Sequence, residues 1–256
     1  MKMKFATIAH TMRAAAEVKT LITSHPEALD TRQRDIFDQY GQLRTDYVLQ
    51  EGWPIDASGV DIDVYDTAAE SYYVIAHAGG TAYAGLRLTS ITSLWGSLSY
   101  SMWSHAVERG QFDAMLSQKL SDIKHIETVG QSGHLWDVTR LISAGALGID
   151  NSQLFKSRSR VGVISAMAAA VTITDDPLSC WIFTVSAGAL RFMRRNGFAP
   201  HVLAHGKISE EDVDHAYFGY VNPHEVLDQM RKSSATTYRF ARRAMAQTHH
   251  VKREKG

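Results

Sequence analysis

Aspartates at 61, 63 and 66, in the stretch GVDIDVYD, place three carboxylates within six residues, with no lysine or arginine between them. Carboxylates this close repel one another and demand positive charge: a metal ion, an arginine from elsewhere in the chain, or a cationic substrate. A calcium loop takes ligands from positions 1, 3 and 5, with glycine at 6 and glutamate at 12. Counted from Asp61, positions 5, 6 and 12 hold Tyr65, Asp66 and Tyr72, which excludes that loop. Taken alone, three carboxylates read most simply as a solvated acidic loop. Arg87 and Arg140 shift the balance, because both fall in β-rich runs, the second of them three residues after Asp137. A half-buried strand arginine needs a carboxylate partner, since an unpaired buried charge is very costly. Ordinary structural ion pairing accounts for part of this. The three acids, the two strand arginines, Arg44 and Trp53 can also meet at one end of a sheet.

The elements that position these residues follow from pattern. Residues 11–24 and 30–50 read as two helices separated by SHPEALDT, with a capping Asp or Thr; Ile36, Tyr40, Leu43 and Tyr47 share one face of the second helix and Arg44 borders it. The run SYYVIAHAGGTAYAGLRLTSI predicts a hairpin turning at Ala78-Gly79-Gly80-Thr81. A helix is expected over 101–122, with Trp103, Val107, Met115 and Leu120 as core positions. A strand is expected over 133–145, with Asp137 and Thr139 on one face. A long helix opened by Asn151 or Ser152 follows, then the strand CWIFTVS, a helix ended by Gly197, the strand APHVLAHG and a closing strand VDHAYFGYV. A final helix starts after Pro223. The order predicts one α/β domain, a mixed β-sheet flanked by helices on both faces, over residues 1–222, with a basic helical extension over 223–256.

Composition sets further limits. The chain has 256 residues, 27 basic and 27 acidic, so a general nucleic-acid binder is not expected. The segment 231–256 is +7, read as a frayed, solvated helix. The single cysteine, Cys180, lies in an apolar run, which excludes an internal disulfide and fits a buried, inert thiol in a reducing compartment. His201 and His205 lie in a strand pattern where they do not converge, so no metal site is assigned. The longest apolar stretch, VGVISAMAAAVTI, suits a buried helix and is too short to cross a bilayer. A cytoplasmic protein is expected.

Four segments in order, LRTDYVLQEGW, DIDVYD, GLRLT and LWDVTRL, together resemble the acyl-homoserine-lactone synthases, a branch of the acetyltransferase-like (GNAT) N-acyltransferase fold. Arg44, Trp53, Asp61, Asp63, Asp66, Arg87, Asp137 and Arg140 occupy the signature positions of that family. FTVSAGALRFMRRNGFAP is similar to its strand–helix–glycine segment, so the resemblance spans residues 36 to 206. Asp61 and Asp137 stand where the family usually has Glu, and Val48 where an aromatic is usual.

The resemblance implies an enzyme of quorum-sensing signal production. It transfers an acyl chain from an acyl-carrier-protein or coenzyme A thioester to the amine of S-adenosylmethionine; lactone closure then releases methylthioadenosine. No permanently bound cofactor is implied. An acidic loop suits a substrate with a fixed sulfonium, Trp53 can add a cation–π contact, and a carboxylate can take the amine proton. Asp61 or Asp137 is expected as that base, with Arg140 beside it. Asp63 and Asp66 hold substrate or arginines, and Arg44, Arg87 and Arg140 lock the carboxylates. Lys156, Arg158 and Arg160, early in the long helix, oppose its dipole and are expected either to meet the phosphate of an acyl donor or to form a solvated basic face. Trp95, Met102 and Trp103 are either acyl-pocket lining or core. The rival readings are an acyltransferase of the same fold acting on another amine, such as an amino acid, and a non-catalytic acyl-carrier-binding module.

Overall fold

Gly79 and Gly80 join two long strands with φ of +62° and +89°. Positive φ at both central positions is the type I′ hairpin turn, a conformation that glycine adopts at no steric cost. In the computed structural model, which describes residues 2–51, 61, 66, 71–174, 176–208 and 215–251, this hairpin runs through the middle of an eight-stranded mixed sheet.

In chain order the elements are α1 (Lys2–Glu17), β1 (Lys19–Thr23), α2 (Thr31–Gln50), β2 (Ser71–Ala78), β3 (Thr81–Ile91), α3 (Leu98–Ser101), α4 (Ser104–Glu108), α5 (Gln111–Leu116), α6 (Leu120–Gln131), β4 (Leu135–Ser143), α7 (Gln153–Val171), β5 (Cys180–Ser186), α8 (Ala187–Arg195), β6 (His201–Gly206), β7 (Ala216–Val221), α9 (Pro223–Ser233), α10 (Ala235–Ala246) and β8 (Thr248–Val251). The strand order is β6-β7-β5-β4-β3-β2-β1-β8. The mixed sheet with flanking helices is the fold class expected from the sequence. By compactness the chain divides into two units, residues 1–87, 140–172 and 239–256, and residues 88–139 and 173–238.

In the first unit, α2 starts with a capping box: the Asp30 carboxylate accepts from the Gln33 N–H at 2.8 Å, and the Gln33 side chain accepts from the Asp30 N–H at 3.1 Å. Its Ile36, Tyr40 and Leu43 pack on Leu21, Tyr73, Ile75, Ala82 and Ile142. Against the hairpin, α7 approaches so closely that a Cβ on Gly162 would lie 3.3 Å from the Ala84 Cβ and 3.5 Å from those of Ala76 and Tyr83. Ser152 is its N-cap, accepting from the Phe155 N–H at 3.3 Å. In the second unit, Trp103 stacks on Phe112 at 4.8 Å between ring centroids, inside a core that includes Leu135, Ile182 and Phe218.

Several expectations are corrected. Residues 19–23 form β1, not the end of a helix; β1 pairs antiparallel with β2, and that ladder outweighs local helical pattern. The helix expected over 101–122 is α3, α4 and α5, interrupted at Gly110 (φ +66°), followed by the start of α6, and Leu120 is 69% exposed. The strand β7 does not close the sheet edge; it pairs antiparallel with both β5 and β6 and lies between them. The basic tail over 231–256 is not a frayed helix: α10 buries Ala241 and Ala244, and β8 pairs in parallel with β1.

Two expected results arise from the packing. A Cβ on Gly85 would fall 2.6 Å from Tyr40 Cε2 and 3.1 Å from the Val74 carbonyl oxygen. Gly85→Ala therefore destabilises by about 1–3 kcal/mol, read as a lower urea midpoint, because the buried Tyr40 ring must move. His77, opposite Lys19 in the β1–β2 ladder, is half-buried, and burial followed by the charges of Arg32 and Lys19 pushes its pKa down to about 4. The unfolded chain takes up this proton near pH ~6.5 and the folded chain only near 4, so this contribution to stability is present above the higher value and is lost as pH falls between them. In His77→Gln, the urea midpoint falls less between pH 7 and pH 4.5 than in the parent.

Candidate active site

Arg44 sits on the buried side of α2, one residue after Leu43, and is 4% exposed. A guanidinium cannot shed its charge there, so its surroundings must supply counter-charge. Asp66 meets it with two oxygens, Nη1 to Oδ1 at 2.9 Å and Nη2 to Oδ2 at 2.7 Å. Asp61 takes the remaining edge, accepting from Nε on Oδ2 at 3.1 Å and from Nη2 on its carbonyl oxygen at 2.6 Å. One side chain thus holds both Asp61 and Asp66. Thr45 assists, its hydroxyl accepting from the Asp61 N–H at 3.1 Å.

The two strand arginines join the same group. Arg87, fully buried in β3, places Nη1 2.9 Å from Asp66 Oδ1, and Arg140 of β4 places Nη2 2.9 Å from Asp61 Oδ1. The Tyr73 hydroxyl donates to Asp66 Oδ1 at 2.8 Å, and the Tyr40 hydroxyl donates to the Arg140 carbonyl at 2.9 Å. Burial lowers the Arg44 pKa, but the hydrogen bonds with Asp66 and the neighbouring charges outweigh it and hold the guanidinium above its ordinary range. Burial pushes the Tyr40 phenol up to about 12, and burial with the Asp66 charge also raises Tyr73, so both remain neutral donors at pH 7. Arg140 has a φ of +55°, the left-handed region, which costs an L-residue about 1–2 kcal/mol. Such backbone strain persists where the surroundings over-determine it, as the Tyr40 and Asp61 bonds do here.

Asp61 and Asp66 are therefore occupied by arginines, which settles for these two what their charge answers. Buried ion pairs of this kind contribute little net stability compared with apolar packing; they fix geometry. Trp53 and Asp63 lie outside the described residues.

Among solved structures, the CoA-dependent acyl-homoserine lactone synthase BjaI with MTA matches with a TM-score of 0.58 at 14% identity, over 93% of this chain and 95% of that chain. The AHL synthase LasI matches at 0.52 and 16%, over 84% and 94%. The fold is that of the acyl-homoserine-lactone synthases. FeeM, an N-acyl amino acid synthase from uncultured soil microbes, matches at 0.50 and 14%, over 83% and 94%, so the synthase fold is not confined to one acyl acceptor. No protein-family model and no curated protein matches the chain by sequence.

Within this synthase fold, the remaining expected residues lie as follows. Asp137, 1% exposed in β4, accepts from the Ser99 N–H at 3.1 Å and from the Ser99 hydroxyl. The Ser99 carbonyl accepts from the Thr184 hydroxyl at 2.8 Å, and Thr184 accepts from Trp103 Nε1 at 3.0 Å. Sequence reading missed Ser99 and Thr184, which lie 38 and 47 residues from Asp137 and have no local pattern. Trp103 is core; Trp95 is 46% exposed and meets Tyr100 edge-on. Arg158 reaches Glu17 (Nε to Oε2, 3.0 Å) and the Tyr83 hydroxyl (3.0 Å), joining α7 to α1, while Lys156 and Arg160 are exposed. Burial pushes the Cys180 thiol up to about 12, as an inert cysteine requires. Among the described residues there is no cluster of His, Cys, Asp or Glu that could hold a metal, and no helix long and apolar enough to cross a membrane.

Proposed function

We propose that the protein is an acyl-homoserine-lactone synthase of quorum-sensing signal production. It acylates the amine of S-adenosylmethionine from an acyl-carrier-protein or acyl-coenzyme A thioester and closes the product to a lactone with release of methylthioadenosine. The observation that carries this reading is the convergence of Arg44, Asp61, Asp66, Arg87 and Arg140, on a chain with the synthase fold. All five occupy signature positions of the family, with Asp61 standing where Glu is usual.

The amine is protonated until it gives up a proton, with a pKa near ~8, so attack needs a base. Both oxygens of Asp61 already accept from guanidinium groups, whereas Asp137 accepts from a neutral amide and a hydroxyl. Both Asp61 oxygens being taken up by the frame's guanidinium groups, we assign the base role to Asp137. The amine nitrogen then bonds to the thioester carbonyl, the C–S bond breaks, and the proton passes to the departing thiolate. In the second step the methionine carboxylate attacks the carbon next to the sulfonium. That C–S bond breaks and the neutral thioether methylthioadenosine leaves. Arg44, Arg87 and Arg140 act as a frame that fixes the acidic stretch, with Trp53 and Asp63 assigned to the substrate. Lys156 and Arg160, exposed on α7, are assigned to the donor's phosphate, while Arg158 serves the α1–α7 contact. Both substrates are intracellular metabolites, and this reading places the protein in the cytoplasm.

Purified protein incubated with S-adenosylmethionine and a panel of acyl-coenzyme A and acyl-carrier-protein thioesters, followed by mass spectrometry, tests the proposal. The expected products are methylthioadenosine and an acyl-homoserine lactone in equal amounts. The likeness to FeeM favours a second reading, acylation of an amino acid. Thioester consumption with added amino acids, and no methylthioadenosine, would establish that instead. Ligand binding without turnover, indifferent to Asp61→Ala and Asp137→Ala, would indicate a non-catalytic module.

A further inference from the structure

Asp137 ends a ladder. β4 and β5 pair in parallel through Leu135 with Cys180, Trp136 with Trp181 and Asp137 with Ile182, and β5 continues to Ser186 beside β7. Side chains alternate along a strand, so Asp137, Ile182 and Thr184 share one face, and Phe218, opposite Thr184, lies on it too. Ile182 and Phe218 belong to the core around Trp103. Asp137 and Thr184 are polar side chains set into this apolar surface, where each needs hydrogen-bond partners.

Ser99 of α3 meets both. Its N–H donates to Asp137 Oδ2 at 3.1 Å, its hydroxyl donates to Oδ1, and its carbonyl accepts from the Thr184 hydroxyl at 2.8 Å. Chemistry fixes the directions. The buried Trp103 indole can only donate, so Thr184 accepts from it at 3.0 Å and its own hydrogen goes to Ser99. An ionised carboxylate can only accept, so the Ser99 hydroxyl turns its hydrogen to Asp137. Both Ser99 and Asp137 are 1% exposed. An N–H at the start of a helix seeks an acceptor in any case, and one bond to Asp137 would serve it. The hydroxyl adds a second bond on the other oxygen. The last torsion of an aspartate is soft, and a donor on each oxygen holds the carboxylate plane in one orientation.

We propose that Ser99 is a positioning residue for acyl transfer, fixing the plane of the Asp137 carboxylate, and that Thr184 acts behind it by fixing Ser99. This rests on the assignment of Asp137 as the base that takes the amine proton. A base serves only when its lone pair is aimed at that proton within hydrogen-bond reach, and small misplacements are costly in rate. Ser99 and Thr184 touch no reacting atom; their effect passes through Asp137.

A double-mutant cycle on thioester consumption tests this, since acylation of S-adenosylmethionine and of an amino acid both consume the thioester. Ser99→Ala is expected to lower kcat about tenfold or more, with KM for the amine changed less than about twofold. In the Asp137→Asn background the same substitution is expected to change kcat less than about twofold, because the group it positions is gone. Thr184→Val is expected to lower kcat as well, and Thr184→Ser, which keeps the hydroxyl, to restore it to within about threefold of the parent. Urea midpoints measured beside the kinetics show which variants are folded; where Ser99→Ala is not, the threonine pair decides alone. Full additivity of Ser99→Ala and Asp137→Asn, or a Thr184→Ser as slow as Thr184→Val, overturns the positioning role and leaves acyl transfer standing. Thioester consumed without methylthioadenosine overturns the lactone-synthase reading instead, and the cycle is read in the same way.

Discussion

Arg44→Met is expected to lower the free energy of unfolding by about 3–5 kcal/mol, the cost of removing one partner from a buried charge group. The substitution keeps apolar volume but withdraws every guanidinium bond to Asp61 and Asp66, whose side chains are 8% and 10% exposed. Asp66 retains Arg87 and Tyr73, and Asp61 retains Arg140, so the carboxylates are weakened without being stripped. Arg44→Lys is expected to recover only part of the loss. An ammonium restores the charge, but one nitrogen cannot reproduce a fork that meets Asp66 twice and Asp61 from the side. Urea unfolding at pH 7 measures both variants. A methionine variant within about 1 kcal/mol of the parent would show that the group behaves as a solvated surface ion pair.

The second large effect separates chemistry from framework. Asp137→Asn is expected to reduce kcat by about 10²- to 10⁴-fold with little change in KM for S-adenosylmethionine, as loss of a general base predicts. Asparagine keeps one oxygen to accept from the Ser99 N–H and can donate its amide N–H to the Ser99 hydroxyl, so the urea midpoint is expected to fall less than in Asp61→Asn. Asp61→Asn should behave differently, lowering stability first, because it leaves Arg140 and Arg44 short of a counter-charge. Methylthioadenosine release, measured beside unfolding curves for the pair, distinguishes the two. If Asp61→Asn is stable and inactive while Asp137→Asn turns over normally, the roles are reversed.

The frame was legible because its members are chemically distinctive and their spacing is fixed by short elements. Arg44 lies on a helical face, Asp61 and Asp66 lie in a polar stretch, and Arg87 and Arg140 sit in strands where a charge is out of place. Tyr40 read only as part of a helix face and Tyr73 only as part of a β-rich run, because periodicity says nothing of where a phenolic hydroxyl points. Ser99 and Thr184 gave no signal, since their bonds join segments far apart in sequence. The strand β1 was hidden because KTLIT is short and follows a helical pattern, and pairing with β2 decides its state. The position of β7 between β5 and β6 was beyond reach for a related reason: chain order does not set strand order. For β8, THHV is a polar tetrapeptide with little strand pattern, recruited by the neighbouring edge of β1.

The bond from Tyr40 to the Arg140 carbonyl spans 100 residues, whereas those from Arg44 to Asp61 and Asp66 span 17 and 22. A growing chain can therefore form the early part of the frame long before its last member has been synthesised. Loop-closure entropy makes the long contact the slow one, so the group should assemble in two stages during folding. A short-lived intermediate with Arg44 already clamped and β4 still unattached would be competent in structure but incapable of turnover. Refolding followed by pulsed hydrogen exchange at α2 and at β4, beside recovered activity, would then show protection of α2 leading.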